Sequence, residues 1–268
     1  MNIKDIIITN NDTMMNGELT LSIEQWEEQI NRIRYESYYE KYKNDKEMEN
    51  VDIPYFNLPF YMHILMYEEI PTIEEFENNY FKIYRKEIQK DGEQIVCHGH
   101  NYPVGSFQGR FLRTYPSLIR DFHFYTMLKQ SDYFDEVRWS YDKDTFEGKD
   151  IIVKYEGEEF DISLFAETKN GKFFKNVKND HRHSYDKRSM ELPLKMGKAQ
   201  RCGEIYLYGE SDVIEVFKFV LNYFDRELCP QCRSGYLIER ISQAENNKGH
   251  KFWGCSKYPK CKYTRNIN

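Results

Sequence analysis

Long apolar runs, a leader-like N-terminus and a dense set of cysteines are all missing from this sequence of 268 residues. No apolar run approaches the roughly 20 residues that a membrane-spanning helix needs, so we expect no membrane segment. The first residues, MNIKDIIITNND, lack a basic stretch followed by a long apolar core, so we expect no secretory signal. Six cysteines are too few for a disulfide scaffold. We expect a cytoplasmic protein whose clustered cysteines bind a metal.

Aromatic residues are abundant, with 22 Tyr, 18 Phe and 3 Trp, so the chain can bury a core of one or two domains. The net charge of −6 is distributed unevenly. Residues 1–100 sum to −10, whereas residues 171–201 and 229–268 each sum to +6. Because phosphate affinity depends on local basic patches, this mildly acidic chain can still bind nucleic acid.

Helical spacing and turn residues indicate the elements of the chain. Ser22 can cap a first helix, and Pro71-Thr72 opens another whose first turn is acidic. The glycines and the proline in residues 91–109 indicate a loop and a domain edge. Further helices are expected at 116–130 and 213–224, and β-like runs occur at 134–140, 149–155, 159–169 and 204–209.

This order of elements predicts a mixed α+β protein with three parts. Residues 1–105 form an acidic helical N-terminal region, and residues 106–227 form an α/β domain around a small mixed sheet. Residues 228–268 form a C-terminal zinc module.

The cysteine spacing near the C-terminus is the strongest signal in the sequence. Cys229 and Cys232 form a Cys-x-x-Cys knuckle, and Cys255 and Cys261 follow after 22 further residues. Four thiolates at this spacing complete a tetrahedron around a structural Zn²⁺ ion. About 40 residues bury too little core to fold alone, so the metal would supply most of the folding free energy.

The stretch from Lys251 to Thr264, KFWGCSKYPKCKYT, resembles the four-cysteine zinc finger of bacterial type I DNA topoisomerases. A glycine commonly follows the second cysteine in that family, whereas Arg233 stands here and Gly235 follows two residues later. The resemblance covers about 40 residues and implies a zinc ribbon that binds DNA, often as single strands. It does not extend to the catalytic part of a topoisomerase, so any chemistry must lie upstream.

Aromatic and basic side chains alternate through the same stretch. Aromatic rings can stack on bases and cations neutralise phosphates, a combination typical of single-strand binding. Phe252 and Tyr258 can equally form the small core of the ribbon itself. The residues we predict to bind nucleic acid are Lys251, Trp253, Lys257, Lys260, Lys262 and Arg265.

A second candidate site lies on a predicted β-hairpin. With Gly157-Glu158 as a two-residue turn, Asp150 faces Phe165 across the two strands. Asp150, Phe165, Glu167 and Lys169 then project from one side, and Asp150 lies diagonal to Glu167 at roughly 7–8 Å.

This arrangement resembles the PD-(D/E)XK nucleases, which carry an acidic residue on one strand and Glu-x-Lys on the next. The resemblance implies that Asp150 and Glu167 hold a catalytic Mg²⁺ ion and that Lys169 acts on the attacking water. No proline precedes Asp150, and Thr168 stands where an apolar residue is usual. Asp161 competes for the first acidic role, but it lies about 20 Å from Glu167 along one strand. The competing interpretation is a surface hairpin whose charges merely face water.

Other charged groups could extend these sites. The Cys97-His98-Gly99-His100 cluster is a possible second metal site, although a loop with a buried cysteine is the preferred interpretation. Asp121 could add a carboxylate from a helix. A phosphate-binding surface could be formed by Arg110, Arg113, Arg120, Lys172, Lys175, Lys178, His181, Arg182, His183, Lys187 and Arg188.

Together these features predict a DNA-binding protein that is a metal-dependent endonuclease, tethered to double- or single-stranded DNA by its finger. By analogy of fold, such a combination would suit restriction or antiviral defence, or the functions of mobile elements. The alternative is a non-catalytic DNA-binding adaptor whose acidic N-terminal region binds a protein partner.

Overall fold

The computed structural model describes residues 19–34, 48–49, 51–167 and 187–267. Helices and strands are mixed along these ranges, which confirms the predicted α+β class. The helices are α1 (Ile23–Arg32), α2 (Asn57–Tyr67), α3 (Ile73–Ile83), α4 (Val104–Gln130) and α5 (Glu210–Tyr223). The strands are β1 (Ile88–Asp91), β2 (Gln94–Cys97), β3 (His100–Pro103), β4 (Glu136–Arg138), β5 (Ile151–Tyr155), β6 (Glu158–Ala166), β7 (Ser189–Leu194), β8 (Gln200–Cys202), β9 (Ile205–Leu207), β10 (Leu237–Ile241), β11 (Lys251–Cys255) and β12 (Thr264–Asn266).

Capping boxes begin α1 and α3 where the sequence predicts helix starts. The Ser22 hydroxyl accepts a hydrogen bond from the Gln25 backbone, and the Gln25 side chain accepts one from Ser22 in return. Thr72 and Glu75 form the same reciprocal pair at α3. Each box satisfies backbone N–H groups that the first helical turn otherwise leaves unpaired.

The N-terminal region also contains a sheet that the sequence analysis missed. Strands β1, β2 and β3 form an antiparallel meander within residues 88–103, in part of the segment predicted to be a loop. The glycines occupy its turns, since Gly92 and Gly99 adopt φ angles of 57° and 76° that favour glycine. Turn glycines therefore mark hairpins here and not an open loop.

Helix α4 begins twelve residues earlier than predicted and keeps Pro116 in its interior. Proline removes one helical hydrogen bond, yet packing of a long aromatic face offsets the loss. Phe107, Phe111, Tyr115 and Phe122 are fully buried along that face. This helix is thus the central element against which the N-terminal helices and the central sheet pack.

The central sheet has the strand order β4-β5-β6-β7. The first three strands are antiparallel neighbours, and β7 pairs with β6 in parallel. Ile151, Val153, Phe160, Ile162 and Leu192 point from this sheet into the main buried cluster. A mixed sheet of this kind was predicted for the second part of the chain.

One buried cluster joins residues on both sides of the predicted boundary at 105/106. It includes Trp26 and Phe76 from the N-terminal helices as well as Val153 and Phe217 from the central part. The boundary itself lies in the first turn of α4. Among the described helices, none combines the length and apolar character required to cross a bilayer.

Candidate nucleic-acid interface and metal centre

The C-terminal ribbon is a three-stranded antiparallel sheet in the order β10-β11-β12. The first knuckle precedes β10, and the second begins with Cys255 at the end of β11. Backbone hydrogen bonds fold both turns, from Arg233 N to Cys229 O at 3.0 Å and from Cys261 N to Lys257 O at 3.2 Å. The ladder therefore brings together two cysteine pairs that are distant in sequence.

The four sulfur atoms lie where a tetrahedral zinc site requires them. They are all within 4.8 Å of one another. Cys229 Sγ and Cys261 Sγ are 3.9 Å apart, and Cys232 Sγ and Cys255 Sγ are 3.6 Å apart. Zn–S bonds of about 2.3 Å in a tetrahedron place sulfurs about 3.8 Å apart. The donor set fits one structural Zn²⁺ ion held by four cysteines.

The electrostatics of this pocket also favour a cation. Burial raises the pKa of the Cys255 thiol to about 12, and hydrogen bonding with neighbouring cysteines adds to the rise. The opposite holds for Cys232, where burial also acts to raise the pKa, but hydrogen bonds with Ser234 and with neighbouring cysteines outweigh it and lower the pKa to about 6. One sulfur of the cluster is thus readily ionised, whereas ionising further adjacent sulfurs requires a compensating positive charge. A bound Zn²⁺ ion supplies that charge, because coordination deprotonates thiols.

Glycine at position 235 lets the two knuckles approach closely. A Cβ there would lie 2.8 Å from Ser256 Oγ and 3.0 Å from Cys255 Sγ. The residue that directly follows Cys232 has a positive φ angle, which explains why glycine commonly stands at that position in the zinc-finger family that this ribbon resembles. Arg233 stands at that position and adopts φ 53°, the left-handed conformation that costs an ordinary residue about 1 kcal/mol.

Two of the predicted DNA-binding cations are already paired with carboxylates. Lys251 Nζ lies 2.6 Å from Glu239 Oε1. Arg265 makes a bidentate contact with Glu227, at 2.8 and 2.6 Å. Trp253 pairs in the ladder with Glu239 on one side and Arg265 on the other, and it packs against the cysteine cluster. This face of the ribbon is therefore largely engaged in its own structure.

The second knuckle presents the more open basic surface. Lys257, Lys260 and Lys262 are exposed and form no ion pair within the described ranges. Tyr258 stands among them with 61% of its surface exposed. The sequence left open whether Tyr258 forms part of the small core of the ribbon, and its exposure shows that it does not. We call Lys257, Tyr258, Lys260 and Lys262 the knuckle surface.

Arg240 supports the knuckle surface from β10, a contribution that the sequence analysis missed. Its guanidinium lies 5.6 Å from the centre of the Tyr258 ring, within cation–π range. Its Nη2 donates to Cys255 O at 3.1 Å. The side chain of Phe252, the other ambiguous aromatic, is half-buried beside the same arginine. The signal in the sequence that could have revealed this role was a basic residue, Arg240, on the strand before the aromatic and basic stretch.

The hairpin carrying the predicted catalytic residues forms, but in a different register. Tyr155 pairs with Glu158, and Ile151 pairs with Ile162. The turn residues are therefore Glu156-Gly157, with φ angles of 48° and 86°, and not Gly157-Glu158 as predicted. Both positive φ angles are typical of a type I′ hairpin turn.

This register separates the two predicted carboxylates. Continuing it by one residue places Asp150 opposite Ser163 and not opposite Phe165. Glu167 follows four residues later, roughly 13 Å along the strand at about 3.3 Å per residue. A shift of two residues keeps side chains on the same face, so Asp150 and Glu167 still share one side of the sheet.

The surroundings of Asp150 differ from those of its competitor Asp161. Asp150 Oδ2 accepts a hydrogen bond of 2.5 Å from the Leu164 backbone, whereas Asp161 Oδ1 pairs with Lys143 Nζ at 3.0 Å. The pKa of Tyr208 is raised chiefly by burial, with smaller contributions from the charges of Asp121 and Asp150. The buried hydroxyl of Tyr208 therefore lies within electrostatic reach of Asp121 and Asp150. Lys169 lies outside the described residues.

Three arginines predicted to contact phosphate instead hold the fold together. Arg110 Nη1 donates to the carbonyls of Met48 and Val51 at 2.7 and 2.6 Å. Arg113 forms an ion pair with Glu49, and Arg120 Nε donates to Tyr206 O at 2.9 Å. Of the other predicted phosphate contacts, Lys187 and Arg188 are described, and Arg188 pairs with Glu158 at 3.2 Å. The rest lie outside the described ranges: Lys172, Lys175, Lys178, His181, Arg182 and His183.

The cluster at residues 97–100 forms a tight turn between β2 and β3. Cys97 is buried, and its Sγ contacts Asp52 O at 3.8 Å. His98 Nε2 lies 2.8 Å from the same carbonyl. In the described ranges the zinc-finger cysteines form the group suited to a metal, and this turn does not. The structure therefore agrees with the preferred interpretation of a turn with a buried cysteine.

Comparison with known families agrees with the geometry of the ribbon. Residues 226–268 match the family described as topoisomerase DNA binding C4 zinc finger. No curated protein and no solved structure matches the chain significantly. The match covers the ribbon and indicates zinc binding and DNA binding. The helices and the central sheet lie outside it.

Proposed function

We propose that this protein binds DNA through the knuckle surface of its zinc finger. The observation that supports this most directly is the four-cysteine cluster within a matched DNA-binding finger. The zinc ion would fold the ribbon and hold Lys257, Lys260 and Lys262 around Tyr258. These cations neutralise backbone phosphates, while the exposed ring offers a stacking face for an unpaired base. Single-stranded DNA is thus the preferred ligand of this surface.

We further propose that the central part cleaves the DNA that the finger holds. The candidate residues are Asp150 and Glu167 as Mg²⁺ ligands and Lys169 as the group that acts on water. Two observations support this proposal. By strand alternation, Asp150 just before β5 and Glu167 just after β6 fall on one side of the sheet, and Asp121 on α4 lies within electrostatic reach of the same hydroxyl as Asp150. When bound, a divalent ion would lower the pKa of water and stabilise charge on the phosphate.

One observation favours a second candidate, a DNA-binding adaptor without catalysis. The observed register separates Asp150 from Glu167 by roughly 13 Å along the strand, beyond the distance at which two carboxylates share one ion directly. In this alternative the central part is a scaffold and the acidic N-terminal region binds a protein partner.

A cleavage assay on plasmid and single-stranded DNA, with and without Mg²⁺, separates the two candidates. A nuclease loses cleavage in Asp150→Ala and Glu167→Ala but keeps its DNA affinity. Lys169→Ala keeps metal binding and loses rate by about 10²–10⁴-fold. Asp161→Ala, the matched control, cleaves nearly normally. An adaptor binds DNA in every case and cleaves none, and full cleavage by Glu167→Ala would exclude this hairpin as the active site.

A further inference from the structure

Arg226 stands at the junction between the zinc finger and the rest of the protein. It lies between α5 and β10, and its guanidinium makes a bidentate ion pair with Glu156 at the tip of the β5–β6 hairpin. The distances are 2.6 Å from Nη1 to Oε1 and 2.9 Å from Nη2 to Oε2. This geometry is the strongest form of an arginine–carboxylate contact.

The same guanidinium also contacts aromatic rings on both sides of the junction. It lies 4.5 Å from the ring centre of Tyr236, which belongs to the finger, and 5.2 Å from that of Phe224 at the end of α5. Phe224 in turn packs against Tyr155 and Phe160 in the hairpin strands. Arg226 therefore touches the finger, the helix and the hairpin at once.

Tyr236 is held in place by the second zinc knuckle. Tyr236 N donates to Ser256 Oγ at 3.0 Å, and Ser256 N donates to Tyr236 O at 2.8 Å. Ser256 follows the zinc ligand Cys255 directly. Leu228 and Tyr236 form an isolated β-bridge and both pack against the main buried cluster. The ring on which Arg226 rests therefore belongs to a residue whose backbone is hydrogen-bonded to the neighbour of a zinc ligand.

The hairpin tip needs such support from outside its own turn. Glu156 adopts φ 48°, a left-handed conformation that is unfavourable for a residue with a Cβ. Its backbone N–H donates to Asp135 Oδ2 at 2.6 Å, and its side chain is fixed by Arg226. The ion pair thus helps to hold a strained turn at the end of the β5–β6 ladder.

We propose that Arg226 couples the zinc-bound state of the finger to the order of the β5–β6 hairpin. When zinc folds the finger, Tyr236 and Arg226 fix Glu156 and hold the hairpin. When zinc is lost, Tyr236 moves and the hairpin opens more often, while the main core stays folded. The coupling goes beyond DNA binding and stands whether or not the hairpin cleaves DNA.

Hydrogen–deuterium exchange of the full-length protein tests the coupling without any activity measurement. Amides of residues 151–166 are followed in the zinc-loaded protein and after removal of zinc by a chelator. We expect exchange at the hairpin to rise on the order of tenfold on zinc removal, with helix α4 unchanged. In Arg226→Ala the hairpin exchanges fast with zinc present and changes little when zinc is removed. A wild-type hairpin indifferent to zinc would overturn the proposal.

Two further variants separate coupling from general damage. The double variant Arg226→Glu with Glu156→Arg restores the ion pair in the opposite sense and should recover part of the slow exchange. Arg265→Ala removes the other bidentate pair of the finger, with Glu227, and serves as the matched control. Its hairpin should exchange as in the wild type. Failure of the charge reversal together with fast exchange in Arg265→Ala would show that the finger affects the hairpin by nonspecific loosening.

Discussion

The side chain of Arg240 passes over Gly254 of the neighbouring strand, on one face of the zinc ribbon. A Cβ on Gly254 would come within 2.7 Å of Arg240 Cδ and 3.0 Å of its Nε. The missing side chain is thus the space through which Arg240 reaches Cys255 O and the Tyr258 ring. Gly254 makes room for the arginine side chain. Its backbone conformation does not require glycine, because its φ angle is not in the left-handed region.

Gly254→Ala should therefore weaken DNA binding without removing zinc. The added methyl displaces Arg240, and Tyr258 loses the guanidinium that supports its ring, an interaction worth about 0.5–1 kcal/mol at exposed sites. We expect a two- to fivefold loss of affinity for a single-stranded oligonucleotide, about that energy expressed as a ratio. Fluorescence anisotropy measures it, and elemental analysis checks the zinc content. Gly197→Ala, where no atom lies within 4 Å of the added Cβ, is the control. Unchanged affinity in Gly254→Ala would show that Arg240 does not support the DNA-binding surface.

Arg233→Gly should stabilise the finger. Arg233 occupies the left-handed region at φ 53°, which glycine adopts without a Cβ penalty. We expect the finger to resist chelation better, with a gain of about 0.5–1 kcal/mol in its folding free energy. Competition with a zinc chelator measures this gain. Arg233→Lys keeps both the Cβ and the charge and should behave as the wild type. A finger that loses zinc more readily with glycine would contradict the strain at this position.

Purified protein should contain one zinc ion per chain. Four cysteines leave no open coordination position, so the ion is structural. Cys255→Ser should lose the metal and unfold the ribbon, while circular dichroism still reports the helices of the remaining core. Protein purified without added metal and found to contain no zinc would contradict the assignment.

Stability should fall as the pH decreases from 7 to 5 because of buried His123. Burial lowers the pKa of His123 below its ordinary value of 6.5, although Nε2 lies 3.3 Å from Glu27 Oε1. Below pH 6.5 the unfolded chain binds a proton at this histidine that the folded chain does not bind. The free energy of unfolding therefore decreases as the pH falls. Burial lowers the pKa of His63 too, which acts in the same direction.

Urea denaturation at the two pH values measures this effect. We expect a decrease of about 1–2 kcal/mol in the wild type and a smaller one in His123→Gln. An equal decrease in His123→Gln and the wild type would assign the pH dependence to other groups.

Local patterns in the sequence predicted more of this protein than long-range ones. The cysteine spacing gave the metal ligands, and the capping residues Ser22 and Thr72 gave two helix starts, because both signals depend on neighbours in the chain. The hairpin register was wrong because both candidate turns contain Gly157. The observed turn also requires Glu156 at positive φ, which residue preference disfavours.

Residues committed to distant partners could not be identified from the sequence. In the sequence, Arg110 and Arg265 both look like cations that are available to bind phosphate. In the structure, Arg110 donates to carbonyls 59 and 62 residues away, and Arg265 pairs with Glu227. Tertiary contacts decide which cations remain for DNA. The knuckle surface and the role of Arg240 emerged from the structure for the same reason.

Salt dependence of binding tests the central claim, that the knuckle surface holds DNA. The full-length protein, the triple variant Lys257→Gln/Lys260→Gln/Lys262→Gln and the matched control Lys251→Gln/Arg265→Gln are titrated with a single-stranded oligonucleotide at several salt concentrations. The slope of log affinity against log salt is negative, and each lost phosphate contact reduces its magnitude by about 0.7. We predict a slope whose magnitude is smaller by about 2 in the triple variant and nearly unchanged in the control. An unchanged slope in the triple variant would contradict it.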